Sequence, residues 1–208
     1  MKYHKLVENA GKPKGFWGRL MIRSMNKGHG ELTEWALSKA DIQNGCRALD
    51  VGCGGGMTVS RLCALTGSGK VYGIDHSDLC VRKSIERNRK NILCNKAEII
   101  KSGVSELPFD GGSFDLVTAV ETYYFWPDKQ NDLKEIYRVL KSGGRLMLAF
   151  EMVADESDPG RWKAVEDRLG IKAVSPGNIL ETLENAGYIN IKTYEQGSER
   201  LCVIAEKE

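Results

Sequence analysis

The chain has 208 residues, 41% of them hydrophobic and 28% charged, with a formal net charge of +2. That length favours a single domain with a full core, needing no disulfide or metal staple. So small a charge gives no argument for nucleic acid or a membrane surface as partner, and no apolar stretch approaches the length of a membrane span. The six cysteines, at 46, 53, 63, 80, 94 and 202, form no Cys-x-x-Cys pair, and no His lies near them at zinc-finger spacing. A reduced, cytoplasmic protein with free thiols, no signal peptide and no metal site is therefore expected.

The first thirty residues carry seven basic side chains: Lys2, Lys5, Lys12, Lys14, Arg19, Arg23 and Lys27. They read as a solvated arm, or as one or two short helices forming a cationic lid over an anionic ligand. Trp17, Arg23 and, much later, Trp162 are the lid candidates. Glu31–Lys39 has the apolar set of a helix. From residue 47 strands and helices alternate. Ala48–Val51 is strand one, Met57–Leu65 a helix, and Val71–Ile74 strand two. Ser77 is placed to N-cap a helix whose Arg82, Lys83, Arg87, Arg89 and Lys90 face water.

Ala97–Lys101 and Phe114–Val120 are strands three and four. Leu133, Ile136, Tyr137 and Leu140 recur at helical spacing, Gly143-Gly144 ends that helix, and Arg145–Phe150 is strand five. Residues 151–174 are acidic, then helical, and lie on the surface. Ser175-Pro176 opens a helix over 177–186 that Gly187 ends. Tyr188–Glu195 and Leu201–Ala205 are joined by so short a turn that they must form an antiparallel hairpin. The alternation implies an α/β, doubly wound, mostly parallel sheet with right-handed crossovers and helices on both faces.

The densest signal is Leu49-Asp50-Val51-Gly52-Cys53-Gly54-Gly55-Gly56, followed by Gly73-Ile74-Asp75 at the end of strand two. Glycines after a parallel strand let backbone approach a ligand where a Cβ would collide. An acid closing the next strand is suited to accept two ribose hydroxyls. Strand, glycines, helix, strand, acid is the context a glycine motif needs. NAD(P) and S-adenosylmethionine both present such a ribose. The spacing Gly52-x-Gly54-x-Gly56, with Asp50 two residues before the first glycine, suits a cofactor carrying an amino-acid moiety rather than a pyrophosphate.

On these residues the chain resembles the class I S-adenosylmethionine-dependent methyltransferases, in the small-molecule branch called methyltransferase type 11. Leu107-Pro108-Phe109, Ser113-Phe114-Asp115-Leu116-Val117 and Glu135-x-x-Arg138-Val139-Leu140-Lys141-x-Gly143-Gly144 fit the same pattern in order. The resemblance covers about residues 45–150, and the last helix and hairpin fit the family's closing elements. It implies a seven-stranded Rossmann-like sheet with a C-terminal antiparallel hairpin. The organisation it implies is one domain: a helical cap over 1–44, a cofactor-binding core over 45–150, and a substrate-side insertion, last helix and hairpin over 151–208.

By the same resemblance Asp50, Gly52, Cys53 and Gly54 surround the methionine part of the cofactor, beside Val120. Asp75 holds the ribose, and His76 lies against the adenine. The loop through Gly103, Val104 and Ser105 closes over the adenine edge. There the sequence departs from the pattern, because the usual Asp is absent and a backbone N–H must serve. Glu121 falls beside the reacting methyl, and His29 upstream is the second candidate for a proton-accepting role. Tyr123, Tyr124, Trp126 and Trp162 are expected to wall the acceptor pocket. No Asn/Asp-Pro-Pro-aromatic tetrad follows strand four and no Pro-Cys occurs, so a small-molecule acceptor is expected rather than nucleic acid. The implied activity is in-line transfer of a methyl group, by a monomer or homodimer. The alternatives are an NAD(P)-binding oxidoreductase and a non-catalytic module that binds the adenosyl cofactor.

Overall fold

The computed structural model describes residues 29–208. Trp17, Arg23 and the basic run that ends at Lys27 lie outside the described residues. In chain order the elements are α1 (Gly30–Leu37), β1 (Ala48–Val51), α2 (Met57–Leu65), β2 (Val71–Asp75), α3 (Asp78–Arg87), α4 (Arg89–Leu93), β3 (Ala97–Lys101) and β4 (Phe114–Val120). They continue with a 3-10 turn (Tyr123–Phe125), α5 (Lys129–Val139), β5 (Leu140–Phe150), α6 (Lys163–Leu169), α7 (Pro176–Asn185), β6 (Tyr188–Gln196) and β7 (Arg200–Lys207).

The strands form a seven-stranded sheet in the order β3-β2-β1-β4-β5-β7-β6. β1 through β5 pair in parallel, and β7 runs antiparallel to both β5 and β6. The strand order reverses beside β1, where the chain next adds β4 on the side away from β2. Ligands bind outside the carboxyl ends of the strands at such a switch point.

Each face of the sheet has its own core, and strand periodicity divides the residues between them. On β5, Leu146, Leu148 and Phe150 join Leu133, Ile136, Ile179 and Leu183 of α5 and α7. Met147 and Ala149 turn the other way, toward Leu32 and Ala36 of α1 and Val59 and Leu62 of α2. Burying residues of both parities explains why β4 and β5 read as nearly continuous apolar runs.

Three expectations change. The helix before β5 stops at Val139, and β5 already begins at Leu140, upstream of Gly143-Gly144. The ladder steps from Phe114↔Leu140 to Leu116↔Arg145, so the glycines sit in an irregularity of the strand rather than at a helix end. A Cβ on Gly144 would lie 2.8 Å from the Lys141 carbonyl and 3.0 Å from that of Phe114, which is why glycine stands there. Next, the basic helix after β2 is broken at Asn88 into α3 and α4. Finally, residues 151–174 are not simply a surface run: Met152, Val153, Ile171 and Val174 are buried in the core. Val153 and Val174 form an isolated parallel bridge that ties the segment's ends together.

Candidate active site

The site is built on the loop between β1 and α2. Gly52, Gly54 and Gly56 have φ of 72°, 51° and 75°, in the left-handed region that favours glycine. A Cβ on Gly52 would fall 2.5 Å from Thr122 Cγ2, and one on Gly56 2.5 Å from Ser84 Oγ. The loop is pinned from α3: Arg87 Nε donates to the Gly55 carbonyl at 2.8 Å and Asn88 Nδ2 to the Gly56 carbonyl at 2.9 Å. Arg87, exposed as expected, is also a loop clamp.

Asp75 ends β2 beside this loop and is buried. Its Oδ2 accepts from Gly54 N–H at 2.9 Å and its Oδ1 from Ser77 N–H at 2.8 Å. Each carboxylate oxygen has a second lone pair free of these bonds, the capacity two ribose hydroxyls would use. The Ser77 side chain also caps α3, accepting from Cys80 N–H as expected.

A cavity of about 410 Å³ runs along this edge of the sheet. That is within the range of small-molecule sites, about 300–1,000 Å³. One wall carries Gly52, Cys53 and Gly54; another carries Asp75, His76, Gly103, Val104 and Ser105; the far end carries Val120, Glu121, Trp126 and His29. Nearly all the residues expected at the cofactor thus meet in one space. Asp50 is the exception. It does not line the cavity but lies beneath the loop, 2% exposed, where its Oδ1 accepts from Thr118 Oγ1 at 2.8 Å. Burial, opposed by that hydrogen bond and reinforced by the charge of Asp75, pushes its carboxyl up to about 7.

Of the residues expected to wall an acceptor pocket, Trp126 lines the cavity, but Tyr123, Tyr124 and Trp162 do not. The 3-10 turn points the two tyrosines into the core, edge-on to Phe150. Trp162 is tied away by Nε1 donating to the Val153 carbonyl at 2.8 Å. Phe125 and Pro127, neither of them expected, take part of the wall instead, as do Thr33, Met57, Thr58 and Cys80. The spacing of an aromatic run does not reveal which members face which way through a tight turn.

Glu121 holds a left-handed backbone, φ 57°, rare for a non-glycine and costing about 1–3 kcal/mol unless its surroundings enforce it. The enforcement is visible. Its N–H donates to the Ala149 carbonyl at 3.0 Å. Its Oε1 accepts from Tyr124 Oη at 2.8 Å and from Glu151 N–H at 2.6 Å. Burial raises its pKa, against the pull of His29, the Glu151 N–H and Tyr124.

His29 precedes α1, where both Thr33 N–H and Thr33 Oγ1 bond to its carbonyl. Its Nδ1 is hydrogen-bonded to Glu151 Oε2 at 2.8 Å and lies 4.0 Å from Glu121 Oε2. Burial lowers the imidazole pKa, but the Glu151 hydrogen bond and the two carboxylate charges prevail and hold it above 6.5. Glu151 is correspondingly lowered, chiefly by His29. Glu151 stands just past β5 and is 122 residues from His29 in sequence, so no local pattern announces the pair.

The residues fit an adenosyl cofactor carrying an amino-acid arm. Gly54 lines the cavity, and a Cβ there would meet nothing closer than the Gly52 carbonyl at 3.9 Å, so the space it leaves belongs to the cavity. The Gly103–Ser105 loop lines the same cavity, and a Cβ on Gly103 would meet nothing within 4 Å. The fold is that of the class I S-adenosylmethionine-dependent methyltransferases, a Rossmann-like class.

Residues 49–148 match the model of a methyltransferase domain. Among curated relatives, a sterol 24-C-methyltransferase of Pneumocystis carinii is 34% identical over 124 residues, covering 58% of this chain and 32% of its own length. The sarcosine/dimethylglycine N-methyltransferase of Halorhodospira halochloris is 28% identical over 154 residues, 74% of this chain and 54% of its own. The chain thus spans about a third to a half of the length of these relatives. The crystal structure of a SAM dependent methyltransferase from Aquifex aeolicus superposes with a TM-score of 0.73 at 25% identity, covering 88% of this chain and 95% of that one. S-adenosylmethionine is the cofactor of that class, whose methyltransferase-domain model residues 49–148 match.

Proposed function

We propose that the chain transfers a methyl group from S-adenosylmethionine to a small-molecule acceptor. The observation that carries this reading is the coupling of Asp75 to Gly54: one carboxylate both braces the glycine loop and keeps acceptor capacity at the cavity wall. Bound there, the cofactor supplies a methyl group already activated by a sulfonium charge. Asp75 takes the ribose hydroxyls, the loop through Gly103, Val104 and Ser105 flanks the adenine, His76 lies at its rim, and Gly52, Cys53 and Gly54 admit the methionine arm. Asp50 supports that loop from below rather than touching the cofactor.

The chain's remaining task is to align the acceptor and exclude water. Val120, Phe125 and Trp126 supply apolar wall at that end, and Glu121 and His29 are the groups that bind or deprotonate an acceptor. Tyr123, Tyr124 and Trp162 act from the core, as support for that wall. The six cysteines are all free, which accords with a reducing, cytoplasmic setting. Among the described residues no helix is long and apolar enough to cross a membrane. The acceptor is a small organic molecule rather than nucleic acid or lipid surface, and the working unit is a monomer or homodimer.

Thermal unfolding with S-adenosylhomocysteine, S-adenosylmethionine and NAD(H) in parallel tests the reading. A ligand at about a hundred times its dissociation constant stabilises by about 2.7 kcal/mol, roughly 5–11 °C for a domain of this size. A rise with the two adenosyl compounds alone is expected. A rise with NAD(H) alone, or none with the adenosyl compounds, overturns it.

A further inference from the structure

Three charged side chains converge behind the acceptor end of the cavity from three different elements. Glu121 comes from the end of β4, Glu151 from the end of β5, and Arg200 from the start of β7. His29 is the member of this cluster, besides Glu121, that also lines the cavity. Each carboxylate is held by its Oε1. Glu121 Oε1 accepts from Tyr124 Oη and Glu151 N–H. Glu151 Oε1 accepts from Arg200 Nε at 3.2 Å. Both Oε2 atoms are left directed at one atom, His29 Nδ1, at 2.8 and 4.0 Å. Arg200 is in turn anchored by Gln196 Oε1 at 3.1 Å and by Glu31 of α1, whose Oε2 is 3.4 Å away.

The arrangement is asymmetric in a way that a plain surface ion pair is not. Nδ1 faces Glu151, which does not line the cavity, while His29 does. Among the described residues Nε2 has no hydrogen-bond partner. A neutral imidazole carries one proton, and the nitrogen that bears it is set by the bond the other makes. A carboxylate at Nδ1 selects the Nδ1–H form and leaves the lone pair on Nε2.

We propose that Glu151, clamped by Arg200, is a positioning residue that fixes His29 as the Nδ1–H tautomer, so that Nε2 takes the proton from a hydroxyl or other protic acceptor atom. This rests on the methyl-transfer reading above. In the step, the acceptor's bond to hydrogen breaks and its electron pair stays on the acceptor as the nucleophile. The proton forms an N–H bond at Nε2. The resulting imidazolium faces two carboxylates, Glu121 and Glu151, with Arg200 and Glu31 as the next charges out, so the cluster of His29, Glu121, Glu151 and Arg200 becomes neutral overall. The first turn of α1, which follows His29, contributes Thr33, an uncharged group, at the His29 carbonyl.

The test is long-range 1H–15N spectroscopy of the imidazoles in the full chain with saturating S-adenosylhomocysteine. The chain has three histidines, and His29→Asn assigns the signal. The neutral form of His29 is expected to carry its proton on Nδ1. In Glu151→Gln the amide oxygen still accepts from Nδ1–H, so the tautomer is kept while the titration midpoint falls by about one pH unit. In Glu151→Ala both the tautomer preference and the raised midpoint are lost. A wild-type neutral ring protonated on Nε2, or a Glu151→Ala spectrum unchanged in tautomer and midpoint, overturns the proposal. If the Ala variant does not fold, Glu151→Gln with an unmoved midpoint does the same. Selective broadening of the His29 signals by equimolar Mn2+, reversed by chelator, would place a cation among these side chains and also overturn it. The thermal shift of wild type with S-adenosylhomocysteine reads the methyltransferase assignment separately, and its failure leaves the imidazole result standing.

Discussion

Asp50→Asn should stabilise the protein, and should do so in a pH-dependent way. The carboxyl is 2% exposed, with its value pushed from 3.8 to about 7 by burial first, against the Thr118 hydrogen bond. A raised acid makes the folded state bind its proton more tightly than the unfolded state. Its contribution is neutral below 3.8, becomes progressively unfavourable as pH rises to about 7, and is constant above that. A difference of about three pK units corresponds to about 4 kcal/mol at alkaline pH. Asn removes the ionisation and keeps an oxygen to accept from Thr118 Oγ1. Its amide N–H2 group, if left without a partner, costs about 1–3 kcal/mol, the same at every pH. The constant part cancels in a comparison across pH. The gap between variant and wild type should move in favour of the variant by about 2–3 kcal/mol from about pH 5 to pH 8. Urea unfolding at the two pH values measures it. A gap that stays constant, or moves toward the wild type, would refute the assignment of Asp50 as a buried, loop-supporting acid.

Gly54→Ala should cost about 1–2 kcal/mol through its φ of 51° and place a methyl group in the cavity. S-adenosylhomocysteine affinity should fall at least about tenfold by calorimetry, since about 1.4 kcal/mol of lost contact suffices. Gly112→Ala, with φ 68° and open space around its Cβ, is the control: similar strain, unchanged affinity. Tyr124→Phe takes a donor from Glu121 Oε1 and an acceptor from Met152 N–H, and should lower stability by about 1–3 kcal/mol in urea unfolding. For the His29–Glu151 pair the sign follows from both partners. The His29 contribution is complete below 6.5 and lost as pH rises through its raised folded value, and the Glu151 contribution is present above 4.5 and lost as pH falls through its lowered one. The stability deficit of Glu151→Gln should therefore be widest between these values and shrink toward about pH 9; a deficit that grows with pH above about 6.5 would contradict the pairing.

The local grammar of the chain is readable in its sequence. Glycines at 52, 54 and 56 announce left-handed backbone, and β1 to β4 fall within a residue of their expected bounds, whereas β5 begins upstream of its expected start, at Leu140. Asp75 announces itself by closing β2, and the hairpin's short turn dictates an antiparallel end to the sheet. These are short-range properties, fixed by which φ, ψ and burial periodicity neighbouring residues tolerate. Orientation at the carboxyl edge was not readable. Asp50 turns toward Thr118 because β4, rather than solvent, is its neighbour in the sheet. Tyr123 and Tyr124 enter the core while Phe125 and Trp126 meet the cavity, because a three-residue 3-10 turn sets the rotation of each side chain. Glu151 and Arg200 reach His29 only because β5 and β7 are adjacent and α1 packs against β5. Contacts between residues so far apart in sequence are created when the sheet assembles, and no spacing along the chain encodes them.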